Sequence, residues 1–168
     1  MAWAKNGTPD TLSSTNKTME ISDITAYKFN LFLLNPIRDS GNPFTWCEYD
    51  NDTGSLYARR RSKNGAADTT ATSTANAFLG DSMSNAVNEF DVVYSINIDG
   101  EEKLAISFQV HNSRASGNGA SYAPDRAEGV HKHADGSTNP QYTTISFDCN
   151  SVSNLWATDS NLSALGTD

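Results

Sequence analysis

Good helix formers are scarce in this chain. Glu, Lys, Gln, Arg and Leu are few, while Ser, Thr and Asn make up about a third of the 168 residues, and their short polar side chains compete with helical hydrogen bonds. A mainly helical fold is excluded on that ground. Long apolar runs are missing too: the most apolar stretch, residues 29–34, is strand-sized and holds Asn30, far short of the ~20 apolar residues of a membrane-spanning helix. Positive charge is in short supply, with 12 Lys and Arg against 20 Asp and Glu, a net charge of -8. Nucleic acid and anionic membrane both need local positive potential, so neither is expected as a partner. The one basic cluster, Arg59-Arg60-Arg61 with Lys63, lies in a strand-like stretch whose successive arginines point to opposite faces.

Cysteine is limited to Cys47 and Cys149, too few for a disulfide framework. The opening Met1-Ala2-Trp3-Ala4-Lys5 lacks the charged segment and apolar core of a secretion signal. Two buried thiols without a mutual bridge are therefore expected. Catalytic signatures are absent as well. No Gly-x-Ser-x-Gly occurs, no Cys stands with a His and an orienting acid, and the glycines of Ser116-Gly117-Asn118-Gly119 do not open a helix that could hold a phosphate. No enzyme activity and no cofactor are expected.

What the chain does contain is alternation. Phe90, Val92, Tyr94, Ile96 and Ile98 occupy every second position; after Asp99-Gly100, Leu104, Ile106, Phe108 and Val110 alternate again. This predicts a long antiparallel hairpin joined by a tight primed turn, with its apolar face at the centre of the core. Weaker alternation follows Phe29, Leu31 and Leu33, then Phe44 and Trp46, then Tyr142, Ile145 and Phe147. Turn-rich stretches separate them, at 39–43, 50–54, Asn64-Gly65, 116–119 and Asp135-Gly136. The segment 66–84 reads as a long connection across one end, with room for one strand inside it. The expectation is a single all-β domain over residues 1–168, an antiparallel β-sandwich of jelly-roll type with minor helix.

Two groups of residues invite a metal reading. His131 and His133 share one face of an extended strand and His111 could join them, while Asp50 and Asp52 precede Gly54 as in the opening of a calcium loop. Surface histidines and an Asx-rich turn explain them more simply, since no further ligand completes either set; no metal is expected. Glu48, Asp50, Glu101 and Glu102 could serve glycan cleavage, but nothing in the sequence orders them.

The opening Met1-Ala2-Trp3-Ala4-Lys5-Asn6-Gly7-Thr8, the block from Tyr49 to Arg60, Gly100-Glu101-Glu102-Lys103-Leu104, Ala123-Pro124-Asp125-Arg126 and the ending from Ser160 to Asp168 together resemble small jelly-roll-like virion proteins of marine viral and archaeal sequences. The resemblance implies a non-catalytic virion component, a capsid decoration or cement protein or part of a tail or fibre, located on the particle surface and assembled in the host cytoplasm. Its partners would be copies of itself, with a trimer as the leading form, and other virion proteins. Trp3, Tyr57, Tyr122 and Trp156 are the candidate interface residues, because aromatics anchor subunit contacts. Apolar residues near both ends, Trp3 and Leu12, then Leu155, Leu162 and Leu165, point the same way or add strands to the chain's own sandwich. The rival reading is a carbohydrate-binding module, in which exposed Tyr or Trp stacks on sugars and Asn and Asp bond their hydroxyls.

Overall fold

The computed structural model describes residues 2–41, 44–79, 89–111, 124–134, 138–149 and 155–168. Among these the chain forms strands and no helix, so the minor helix expected from the sequence is not found in the described residues. In chain order the strands are β1 (Ala4–Lys5), β2 (Asp10–Thr11), β3 (Thr18–Ile21), β4 (Phe29–Asn35), β5 (Arg38–Ser40), β6 (Thr45–Tyr49), β7 (Tyr57–Lys63), β8 (Thr69–Thr74), β9 (Ala77–Phe78), β10 (Glu89–Ile96), β11 (Lys103–His111), β12 (Asp125–His133), β13 (Ile145–Cys149), β14 (Leu155–Trp156) and β15 (Asn161–Thr167). A nine-stranded sheet runs β1-β15-β4-β10-β11-β12-β7-β8, with β2 also paired to β15. A four-stranded sheet runs β3-β13-β6-β9, and β14 pairs with β5. All the pairings are antiparallel, and the fold is an all-β sandwich.

The core lies between the two larger sheets. Phe32, Leu34, Val93 and Ala105 of the large sheet pack with Met19, Ile21, Cys47, Ile145 and Phe147 of the small one. Phe32 is central, with its ring 5.9 Å from that of Phe147 and 6.4 Å from that of Tyr142. Cys47 and Cys149 are both buried free thiols.

The β10–β11 hairpin forms, with Val92 opposite Phe108 and Tyr94 opposite Ile106, one residue away from the pairing that a two-residue turn at Asp99-Gly100 would give, and it is turned inside out. Its inward residues are Glu89, Asp91, Val93 and Ser95 on β10 and Lys103, Ala105, Ser107, Gln109 and His111 on β11. Its apolar set faces away from the core. The expectation that Phe108 and its alternate neighbours fill the core is therefore corrected. Alternation identifies a strand but not which face is inside, and here the small sheet packs on the Val93 and Ala105 side.

The connection differs as well. It spans the residues between Ile96 and Lys103, and Glu101 N–H donates to the Ile98 carbonyl at 3.3 Å, with Gly100 at φ 75° and Asp99 not in the left-handed region. A primed turn would need a positive φ at Asp99. Lys103 fastens this loop from beneath, its Nζ donating to the carbonyls of Ile98, Glu101 and Asn139 at 2.6, 2.9 and 2.9 Å. The primed geometry occurs elsewhere: Asp50 and Asn51 both have positive φ between β6 and the following loop, and Asn64-Gly65 does so between β7 and β8.

The stretch 66–84, expected as a connection with room for one strand, holds two in its described residues: β8, the outer edge of the large sheet, and β9 of the small sheet. Its Thr-rich and Ala-rich sequence suits an edge strand with one exposed face and gives little alternation to read. Both chain ends join the large sheet. β15 is an inner strand, paired to β4 over its whole length and to β1 and β2 on its other side. Gly166 is required there, because a Cβ at that position would lie 2.3 Å from the ring of Tyr27.

Candidate interaction face

The outward face of the large sheet is built from residues that share a row across neighbouring strands. One row places Leu31, Tyr94, Ile106, Val130, Arg60 and Thr70 side by side on β4, β10, β11, β12, β7 and β8. The next row toward one end holds Leu33, Val92, Phe108, Glu128 and Ser62; the next toward the other end holds Phe29, Ile96, Leu104, Lys132 and Ala58. Phe90, Tyr94, Leu104, Ile106, Phe108 and Val130 are each 46–48% exposed, whereas Val93 between them on the other face is fully buried. Single exposed hydrophobic residues are ordinary; a contiguous block over four adjacent strands is not.

The middle of this face is a trough of about 890 Å³. Phe29, Tyr94, Ile96, Leu104, Ile106 and Val130 line it; Trp3 stands at one end, Thr70 and Thr72 at the other, and Arg60 and Lys132 also line it. The cations are held in pairs, Lys132 to Glu102 at 2.9 Å and Arg60 to Asp68 at 3.1 Å. Phe90, Phe108 and Val110 continue the apolar face outside the trough, and Phe108 lines a smaller hollow of about 240 Å³ with Ile106, Glu128 and Val130.

Polar chemistry lies inside the sandwich instead. Tyr49 Oη is 2.9 Å from His131 Nε2 and 3.2 Å from Ser95 Oγ, and the rings of Tyr49 and Tyr57 stack at 6.3 Å. His133 Nε2 meets Asp52 Oδ2 at 2.8 Å, and the His133 ring lies 4.5 Å from that of Tyr57. Burial and then the neighbouring His133 push His131 down to about 3, so its imidazole is neutral. Farther along the same face, Glu89 accepts a hydrogen bond from the Thr45 hydroxyl at 2.7 Å, with Asp91 two residues on. Burial raises both carboxyls above their ordinary values, and the Glu89 charge raises Asp91 further. On the outer face of the small sheet, half-burial and the nearby Asp148 push Glu48 up to about 7.

The structure sorts the residues singled out by sequence. His131 and His133 share a face as expected, but it is the inward one, and His111 stands at the far end of β11, opposite Glu89. Asp52 joins His133, while Asp50 accepts from the N–H groups of Thr143 and Thr144 at 2.9 Å each, latching one loop to another. Among the described residues no three His, Cys, Asp or Glu side chains are placed to hold a metal ion. Glu48 lies on the small sheet, whereas Glu101 and Glu102 follow the last strand residue of β10 on the large one. Trp3 is exposed at the trough; Tyr57 and Trp156 are buried in the chain's own core and cannot serve as surface anchors. Tyr122 lies outside the described residues. Sequence reading missed the hairpin's outward residues as surface groups, although one signal was present: Glu89, Asp91, Gln109 and His111 alternate against the apolar set, and a strand with two such unlike faces can be buried on either. No protein family, curated protein or solved structure matches the chain.

Proposed function

We propose that this protein is a non-catalytic structural subunit that works by packing, in keeping with its resemblance to jelly-roll-like virion components: a capsid decoration or cement protein, or part of a tail or fibre, on the particle surface. One observation carries the reading, the contiguous apolar face that four adjacent strands of the large sheet turn outward. A subunit that spends its life alone gains nothing from such a face, and burial against a neighbour at about 25 cal/mol per Å² supplies the driving force for assembly.

The carbohydrate-binding alternative draws on Trp3 and Tyr94, both exposed at the trough. A sugar site also needs hydrogen-bonding side chains beside the aromatic platform. Here the neighbours of Tyr94 across the sheet are Leu31 and Ile106, which offer none. Light scattering on the purified chain tests the proposal. The packing reading expects a mass above 18.2 kDa that rises with concentration and persists in high salt, with no retention on a glycan array. A monomer at every concentration that binds glycans would overturn it.

A further inference from the structure

We propose that the outward face of the large sheet is a contact between two copies of this chain, stacked face to face about a two-fold axis that lies in the contact plane, crosses the strands and passes Ile106. The proposal rests on the packing reading and names the occupant of the face on which that reading stands.

The strand registers make the face self-complementary about that axis. β11 of one copy lies antiparallel over β11 of the other, so the row through Phe108 meets the row through Leu104, and the reverse contact repeats it. Leu33 and Val92 then face Phe29 and Ile96 of the second copy, and Tyr94 and Ile106 face their own counterparts. The charges fall into place on the same terms: Glu128 shares the Phe108 row and Lys132 shares the Leu104 row, so each carboxylate faces an ammonium. An axis along β11 through Ile106 would instead set Glu128 and Lys132 over Val92 and Ile96, and desolvating unpaired charge is costly.

At a strand spacing of ~4.8 Å and an outward repeat of ~6.7 Å, the four strands and the three rows that meet about the axis make a flat face of roughly 400 Å², before side-chain relief and the polar rim are added. A standard stable interface takes about 800 Å² of accessible surface per partner, of which these apolar rows alone supply about half.

Charge selects a second copy over another partner. Beside the apolar rows stand Arg60, Arg126 and Lys132 against Asp68, Glu102 and Glu128, an even balance in a chain of net charge -8. The excess negative charge therefore lies elsewhere and keeps other surfaces of two copies apart. A balanced rim around an uncharged centre offers nothing to a strongly acidic or basic partner.

Two exposed substitutions test this, Phe108→Lys and Leu104→Glu, each first checked for an unchanged melting temperature in dilute solution. Sedimentation should give a dimer for the parent and a monomer for each variant alone. An equimolar mixture should recover the dimer, because the new cation of one variant lies against the new carboxylate of the other while the reciprocal contact keeps native Phe108 and Leu104. Should either variant fail to fold, Val130→Lys sets like charges against each other in the axis row and should likewise give a monomer. A parent that assembles while the variants assemble equally would overturn the two-fold face and leave the packing reading standing. A mixture that stays monomeric would also overturn the face, and a parent that is monomeric throughout and binds glycans would remove both.

Discussion

His131 sits against the Tyr49 hydroxyl inside the sandwich, neutral because burial and His133 hold its pKa down at about 3. A pKa lowered below the unfolded value of about 6.5 means that stability is fully present above pH 6.5 and is lost as pH falls toward 3. The full loss is on the order of 4 kcal/mol. His131→Gln, which can still bond the Tyr49 hydroxyl, should flatten the acid limb of a plot of melting temperature against pH; an unchanged acid limb would contradict the assignment. Asp91 has the opposite sign. Its carboxyl is raised by burial and by Glu89, so its contribution is complete below about pH 4 and is lost as pH rises. Asp91→Asn should therefore leave stability unchanged at pH 4 and gain about 1 kcal/mol at pH 8, ~2–4 °C for a chain of this size. A lower melting temperature at pH 8 would refute it. Part of this was legible: the i, i+2 spacing put His131 and His133 on one face. That Asp52 and Tyr49 would meet them was not, because those contacts join residues some 80 positions apart and depend on how the sheets stack.

The β10–β11 hairpin carries the main lesson at the level of elements. Its strands and their pairing follow from alternation, and the structure keeps both. Its orientation does not follow, since a one-residue change of parity exchanges every inside and outside group. The apolar set reads as core only on the assumption that the chain must bury its most apolar face within itself. Asn30, Glu89, Asp91 and Lys103 line the interior instead; Asn30, Glu89 and Lys103 find hydrogen-bond partners there, while burial and the Glu89 charge raise the Asp91 carboxyl. Val93→Asp should thus abolish folding, at a cost above ~4 kcal/mol from an unpaired charge in the core. Phe108→Asp should melt within about a degree or two of the parent when both are dilute enough to be monomeric, as an exposed position allows. Thermal melts that ranked the two the other way round would restore the apolar face to the core. The edge strand β8 and the inner position of β15 were hidden for a related reason: Thr-rich edges alternate weakly, and a terminal strand gives no sign in sequence of which neighbours it will pair with.

For the molecule as a whole, class and architecture were readable, because helix-poor composition, two-residue periodicity and frequent turns all point to one answer. The surface proposed for assembly was not, since it is defined by what the rest of the fold leaves uncovered. The account stands on that surface being outward in the single chain and covered in the assembled one. Replacing Ile106 with Cys places one accessible thiol at its centre, against two native thiols that are buried and slow to react. Labelling with a thiol reagent across a range of protein concentrations then reads the face directly. The account predicts rapid modification in dilute solution and progressive protection as concentration rises. A thiol that reacts equally at all concentrations, or that stays protected even when the protein is dilute, would contradict it.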